Sequence, residues 1–442
     1  MQSTAARLSC SLDSAVVINP KRDAKSSVGR AGWYPYYAGF SAEFALTIID
    51  TIGLGREKTI LDPWNGSGTT TLSALRAGQK AIGFDLNPVM VVAAKAQTVS
   101  PLSKESLRPL AAEILDIAVR TQPPKMERAD PLLTWLNPES AGSFRRIEAA
   151  IQHLLVARKG FSSLSSPGAL EEISDLASLF YVALFRSLRS SLKGFFSSNP
   201  TWVKSPYSPR QRLRPTFESI TATFNRECEE MIGLLAFESR DKWQGTCQLA
   251  ESSSISLPLD DRTVDLVLTS PPYCTRIDYA VATRLELALL GFDPIQGFDE
   301  LRKKLMGTAM VPKTAPKIQE AWGPTCNRFL TDLSAHPSKA SQTYYLKNHL
   351  QYFDGLAISI REIGRVLKPG GACVLVVQDS YYKDIHTDLP TIALEMAAAS
   401  ELSAGRRVDF VHHRTRAGIN PATRLYRSQL TATESVLLLR RN

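Results

Sequence analysis

The 442-residue sequence has no apolar run approaching the ~20 residues that a membrane-spanning helix needs. Its opening residues, MQSTAARLSCSLDS, lack the compact apolar stretch of a secretory signal, so we expect a cytoplasmic protein with no membrane partner. Cysteine is sparse and scattered: Cys10, Cys228, Cys247, Cys274, Cys326 and Cys373 form no CxxC pair and no Cys/His cluster. That pattern excludes a disulfide framework and a structural zinc site. The six histidines make no metal constellation, and no metal is expected. Acidic residues are in deficit, with 43 Asp and Glu against 52 Lys and Arg, a net charge of +9. Such a balance favours a polyanionic partner and says nothing about fold.

The hydrophobic content of 44% can support a substantial core, and the length exceeds that of one ordinary compact domain. Residues 1–30, polar and rich in small side chains, read as an N-terminal arm. From 31 to 100 the pattern is α/β: a short strand at Thr59–Leu61, a helix over 69–78, and a second strand at Lys80–Phe84 closed by Asp85. This is one βαβ unit of a parallel sheet. Helical periodicity dominates 101–245, which reads as a large insertion. The sheet pattern resumes over 246–290 with the apolar strand Val264–Thr269. It is interrupted by an irregular basic segment at 291–345 and returns over 346–442, where ACVLVVQ and SVLLLRR are strands. The expected fold is a doubly wound, Rossmann-like α/β sheet with ligands at the carboxyl ends of its strands.

Two motifs carry chemistry. The first, Asp62-Pro63-Trp64-Asn65-Gly66-Ser67-Gly68-Thr69-Thr70, lies between a strand and a helix. Its glycines allow close approach of a ligand to the backbone, and the helix offers free N–H groups at its start. It has neither the Lys of a phosphate-binding loop nor the full GxGxxG of dinucleotide sites. Asp62 would repel a pyrophosphate and suits a cationic or amine-bearing ligand, and S-adenosylmethionine carries both an amino group and a sulfonium. Asp85, at the end of the next strand, stands where a carboxylate grips ribose hydroxyls; helix capping is the plainer alternative.

The second motif is Ser270-Pro271-Pro272-Tyr273, after the strand VDLVL. Two consecutive prolines give a rigid, extended loop whose carbonyl groups can accept hydrogen bonds from an amino group. Ser270 adds a side-chain acceptor, and Tyr273 a face on which a planar base can stack. An exocyclic amine held in this way is positioned for direct attack on a methyl carbon, without a covalent intermediate. Cys274 lies outside the Pro-Cys context of cytosine-C5 chemistry.

Together these segments resemble the amino-methylating DNA methyltransferases, closest to the cytosine-N4 type with (S/T)PPY. DPWNGSGTT resembles that family's motif I, with Trp64 for the common Phe, and Asp85 falls at its ribose-binding acid. Residues 33–40, WYPYYAGF, resemble the motif that lines the methionine end of the cofactor, which would place Tyr37 and Phe40 there. The likeness continues through Arg276-Ile277-Asp278-Tyr279, Glu286, Arg365–Gly371 and Gln378-Asp379-Ser380. It implies a class I methyltransferase sheet that binds S-adenosylmethionine and methylates a flipped base in double-stranded DNA, in a restriction-modification or phage-defence setting with a cognate restriction endonuclease. It also implies an acid near the cofactor adenine, for which Glu251 is the candidate although the usual Gly-Asp is missing. Ser270 points, by family association, to cytosine N4. Adenine N6 is the first alternative; an RNA amino-methyltransferase and an inactive DNA-binding scaffold are the others.

For DNA reading, no acid lies between Asp175 and Glu218, a span holding Arg186, Arg189, Lys193, Lys204, Arg210, Arg212 and Arg214 interleaved with Phe195, Phe196, Trp202 and Tyr207. We expect a phosphate footprint there, making 101–245 the target-recognition candidate. Arg302, Lys303, Lys304, Lys313 and Lys317 form a second basic stretch, and Arg414, Arg416, Arg424 and Arg427 a third.

Overall fold

The computed structural model describes residues 12, 14–22, 29–34, 39–124, 129–156, 163–166, 168–196, 202–235, 245–274, 278–413 and 431–442. Tyr37, Arg276, Ile277, Arg414, Arg416, Arg424 and Arg427 lie outside the described residues.

The expected doubly wound sheet is present. Five strands are parallel: β1 (Thr59–Asp62), β2 (Lys80–Asp85), β3 (Cys247–Glu251), β4 (Val264–Thr269) and β5 (Leu367–Gln378). A short hairpin, β6 (Ser380–Tyr382) and β7 (Ile385–Thr387), stands apart. With β8 (Leu402–His412) and β9 (Ala432–Arg441) the seven-stranded order is β3-β2-β1-β4-β5-β9-β8, and β9 runs antiparallel to both its neighbours. The near-continuous apolar runs of β4, β5 and β9 follow from this topology, since a central strand is covered on both faces. Residues 368–371 of β5 have no partner in the β4 register, which passes from Val264↔Leu367 to Leu266↔Ala372, so Lys-Pro-Gly-Gly sits at a break in the ladder.

Alternate strand residues meet different helices. Ile60, Leu266, Leu268 and Val374 pack against α1 (Ala42–Thr51) and α2 (Thr69–Arg76). Leu61, Val267, Cys373 and Leu375 face α11 (Pro324–Ala335), α12 (Leu346–Val366) and α13 (Leu389–Ala398). Helix α11 falls within the segment read from sequence as irregular. Its Cys326, Phe329, Leu330 and Leu333 have helical spacing, but over only three turns, which periodicity resolves poorly.

The span 101–245 forms α4 (Lys104–Arg120), α5 (Pro138–Leu155), α6 (Asp175–Ser191) and α7 (Phe217–Leu234). These helices share one apolar core with α3 (Pro88–Gln97), which follows β2, and with α8 (Tyr279–Ala282) and α9 (Arg284–Leu289), which follow the Ser-Pro-Pro-Tyr loop. The insertion is thus packed into the layer that carries the loop. Arg145 of α5 joins them: it pairs with Asp130 at 2.8 Å and Glu148 at 2.5 Å, and donates to the carbonyls of Ala288, at 3.0 Å, and Leu289. Among the described residues, no helix is long and apolar enough to cross a membrane.

Candidate active site

The strand ends converge on a cavity of about 460 Å³, within the ~300–1,000 Å³ usual for small-molecule sites. Asp62 ends β1, Asp85 ends β2 and Ser270 follows β4, so parallel pairing brings all three to one edge.

The loop after β1 is built by internal hydrogen bonds. Asp62, 3% exposed, accepts from Trp64 N at 3.1 Å, Thr269 Oγ1 at 2.5 Å and Thr70 Oγ1 at 2.7 Å. Its carboxylate therefore ties the end of β1 to the end of β4 and the start of α2, while still bordering the cavity. Three donors within the protein share this carboxylate. Burial nevertheless raises its pKa to about 6, against the lowering effect of those donors. Gly68 has φ +93°, and a Cβ there would lie 3.0 Å from Ala94 of α3, so this position requires glycine on both counts. The Ser67 carbonyl accepts from Gln97 Nε2 at 2.7 Å, which fixes the loop to α3.

Asp85 accepts from Gly66 N at 2.9 Å and from Asn87 N at 2.8 Å. Burial still raises its pKa to about 7, with Asp62 and Glu251 adding smaller repulsions. A carboxylate so placed gains from hydroxyl donors supplied by a ligand. Pro63, Trp64, Asn65, Ser67 and Thr69 border the cavity, as does Phe40 from the upstream aromatic segment. Gly66 and Gly68 support the loop without lining the cavity. Glu251 is exposed at the end of β3, in register with Asp85, and does not line the cavity; Ser252 to Ile255, the residues just after it, do.

Ser270, Pro271, Pro272 and Tyr273 form the facing wall. The Pro272 carbonyl accepts from Tyr352 Oη at 2.9 Å, so it is engaged by α12. On this wall, Ser270 Oγ and the Pro271 carbonyl have no hydrogen-bond partner among the described residues and are available as acceptors. Tyr273 N donates to Tyr279 Oη at 3.3 Å, which folds the loop back on itself. Gly307, at φ +74°, lets the chain after α10 (Gln296–Lys304) press on this loop: a Cβ there would be 2.6 Å from the Tyr273 carbonyl.

No sequence motif marks the wall contributed by α12, where Gln351, Asp354, Gly355 and Ile358 line the cavity, or that of Lys303 to Met306. The i, i+3, i+4, i+7 spacing of those α12 residues was the available signal. Two arginines also differ from the sequence expectation. Arg186 is paired with Glu227 and Glu230, both at 2.7 Å, and Arg189 with the buried Glu286. The acid-free span of sequence is therefore not acid-free in space, because α7 and α9 supply the counter-charges. Likewise Arg302 pairs with Asp278 at 2.6 Å. Lys193, Lys204, Arg210, Arg212 and Arg214 have no ion-pair partner among the described residues, and Trp202 and Tyr207 between them are 49% and 95% exposed. Among the described residues no cluster of His, Cys, Asp and Glu could hold a metal ion.

No protein-family model matches the chain. Among curated proteins it is similar to Type II methyltransferase M.BsoBI of Geobacillus stearothermophilus, 28% identical over 304 residues, covering 64% of this chain and 57% of that protein. The chain thus spans little more than half of that relative's length. It is also similar to Type II methyltransferase M.MvaI of Kocuria varians, 22% identical with 87% of this chain and 84% of that protein covered. A third relative is Type II methyltransferase M.AvaI of Nostoc sp., 24% identical with 81% and 76% covered. Solved structures that align are geranyl diphosphate methyltransferase in complex with GPP and sinefungin, at 9% identity, TM-score 0.30, with 91% of this chain and 78% of that one covered, and the rRNA methyltransferase aviRa from Streptomyces viridochromogenes, at 11% identity, TM-score 0.28, with 92% and 87% covered. The fold assignment rests on the strand order and direction described above.

Proposed function

We propose that the chain is an S-adenosylmethionine-dependent DNA methyltransferase acting on the exocyclic N4 amino group of cytosine in duplex DNA. One observation carries this reading: a single cavity unites the Asp62–Thr69 loop and Asp85 with the Ser270–Tyr273 wall. Likeness to three Type II methyltransferases supports site-specific DNA as the substrate and a restriction-modification setting, with a cognate endonuclease as partner.

The residues fit the cofactor. Asp85 presents a half-buried carboxylate for a ribose diol, and the serines after β3 together with Leu86 and Ile358 offer a mixed polar and apolar bed for a purine. When bound, S-adenosylmethionine supplies a sulfonium-activated methyl group. Ser270 Oγ and the Pro271 carbonyl accept hydrogen bonds from the amino group of the target base and turn its lone pair toward that methyl. Tyr273 stacks on the base, replacing the neighbours it loses on leaving the duplex. Positioning and local dipoles supply the rate, and the amino proton leaves to solvent after transfer. The exposed segment 202–214 offers cations and aromatic faces to the DNA.

Cytosine is preferred over adenine because Ser270 resembles the (S/T)PPY pattern. Methylome sequencing of DNA from cells expressing the chain tests the proposal. N4-methylcytosine at a fixed motif is expected, and an unmodified genome contradicts it.

A further inference from the structure

A second concavity, of about 260 Å³, lies across α8 from the catalytic cavity. Tyr279, Ala282 and Thr283 border the catalytic cavity, whereas Val281 and Arg284 border this one. At about 100° per residue the two sets fall on opposite sides of α8 and the start of α9, so the two sites are on the order of 10 Å apart, the diameter of a helix. Trp202 and Ile295, both exposed, stand at the rim, and the nearly buried Phe298 lies deeper. Arg284 is the unusual member. Arg145, Arg186, Arg189 and Arg302 each meet a carboxylate within ion-pair distance. Arg284 is half-buried and meets none among the described residues: Asp278 and Asp299, which act on its charge from further away, pair with Arg302 at 2.6 and 3.6 Å. Its Nη1 donates to Ser205 Oγ at 3.0 Å, its Nη2 has no hydrogen-bond partner among the described residues, and its Cζ lies 4.7 Å from the centre of the Phe298 ring. Burial and the Arg302 charge both disfavour this cation, a cost that an acceptor on a ligand would offset.

We infer that this concavity receives the base of a second DNA nucleotide, one that is not methylated, stacked on Trp202 with Arg284 donating to it. The inference rests on the DNA reading above and names a contact within it. An aromatic rim beside a planar guanidinium suits a flat ring that carries oxygen or nitrogen acceptors. The volume falls just below the ~300–1,000 Å³ usual for sites of whole small molecules, which suits a single base. The surroundings choose a polyanion over an apolar partner, since Lys204, Arg210, Arg212 and Arg214 follow Trp202 in the chain and have no ion-pair partner among the described residues. Flipping the target base breaks the stack on both sides of it, and a neighbouring base freed in this way gains from another flat face. The thickness of α8 corresponds to about three stacked steps along one strand, at ~3.4 Å each, so the received base lies within about three nucleotides of the target.

Binding of the full chain to the duplex that it methylates tests this, with each nucleotide of either strand within about three of the target replaced in turn by an abasic site. On the intact duplex Trp202→Ala should weaken binding about ten-fold, and Trp202→Phe, which keeps a flat ring, by less than about three-fold. Arg284→Gln should weaken it several-fold. On the duplex that is abasic at the received position, Trp202→Ala and wild-type protein should bind equally, so the ten-fold effect vanishes at that position and persists at the others. The same factor lost on every abasic duplex overturns the inference, because the concavity then meets backbone and no base. Unchanged affinity of Trp202→Ala for the intact duplex overturns it as well, and so does a weakening matched by a fallen melting temperature, which assigns Trp202 to structure. The scan reads binding alone, so its result is independent of which base is methylated. Wild-type protein that neither binds nor methylates duplex DNA overturns both this inference and the DNA reading.

Discussion

Arg189 and Arg210 lie 21 residues apart on the same stretch of chain and meet opposite surroundings. Arg189, in the last turn of α6, meets a fully buried Glu286, lines the cavity and has its Nη2 on a backbone carbonyl. Arg210 is exposed, with Lys204 and Arg214 exposed nearby, and none of these has an ion-pair partner among the described residues. The difference is one of desolvation. A buried guanidinium must have its counter-charge and acceptors in place, so it holds structure. An exposed one keeps its water and remains available to a polyanion, whose attraction depends on salt.

The comparison is sharpest where one partner is removed. Glu286→Ala would leave Arg189 buried without its counter-charge, and we expect a loss of about 3–5 kcal/mol in unfolding free energy, measured by denaturant titration. A loss below about 1 kcal/mol would put Arg189 in the same class as Arg210. Next in size are the catalytic-loop variants. Ser270→Ala and Tyr273→Ala should each lower kcat about 100-fold in single-turnover methyl transfer while cofactor affinity stays within about three-fold, as the proposed contact of both with the base requires. A matching fall in cofactor affinity would move the Ser270 wall into the cofactor site.

A smaller effect is expected from pH. Asp85 titrates near 7 and Asp62 near 6 in the ligand-free protein, both raised by burial. If Asp85 grips the ribose as proposed, cofactor affinity should rise several-fold as pH increases through about 7, and Asp85→Asn should flatten that profile. The stability of the empty protein runs the other way. A folded pKa raised above its unfolded value contributes stability below pH 4 that is lost as pH rises through 6 to 7. Melting temperature should therefore fall across that window without cofactor, and Asp85→Asn should reduce the slope. The smallest expected effect lies on the exposed side. Lys204→Ala with Arg210→Ala should change stability by less than about 0.5 kcal/mol. The same pair should flatten the slope of log affinity for DNA against log salt by about 0.9 for each phosphate that the two side chains neutralise. An unchanged slope would place segment 202–214 away from the DNA.

The βαβ unit and the two loop motifs could be read from sequence because each is local: a strand, a glycine turn and a helix start are fixed by neighbours within about ten residues. Asp85 and Ser270 could be placed at one edge because parallel strands share a direction. The claims on Asp62 were not legible, since Thr269, which supplies one of them, lies on another strand. Nor were the counter-charges of Arg186 and Arg189, which come from α7 and α9 across the packed helical layer. Strand β8 escaped notice because it is an edge strand whose residues 403–407 are exposed in succession, without the alternation of a half-buried strand. The α12 wall was missed because Gln351 and Asp354 read as ordinary polar positions of an amphipathic helix until the fold turns them toward the strand ends.

The central claim is tested most directly by incubating the full chain with duplex DNA and isotopically labelled S-adenosylmethionine, then separating the nucleosides for mass spectrometry. Labelled N4-methylcytosine that disappears in Ser270→Ala is the expected product. Labelled N6-methyladenine as the only product, or no labelled nucleoside from any duplex, would contradict it.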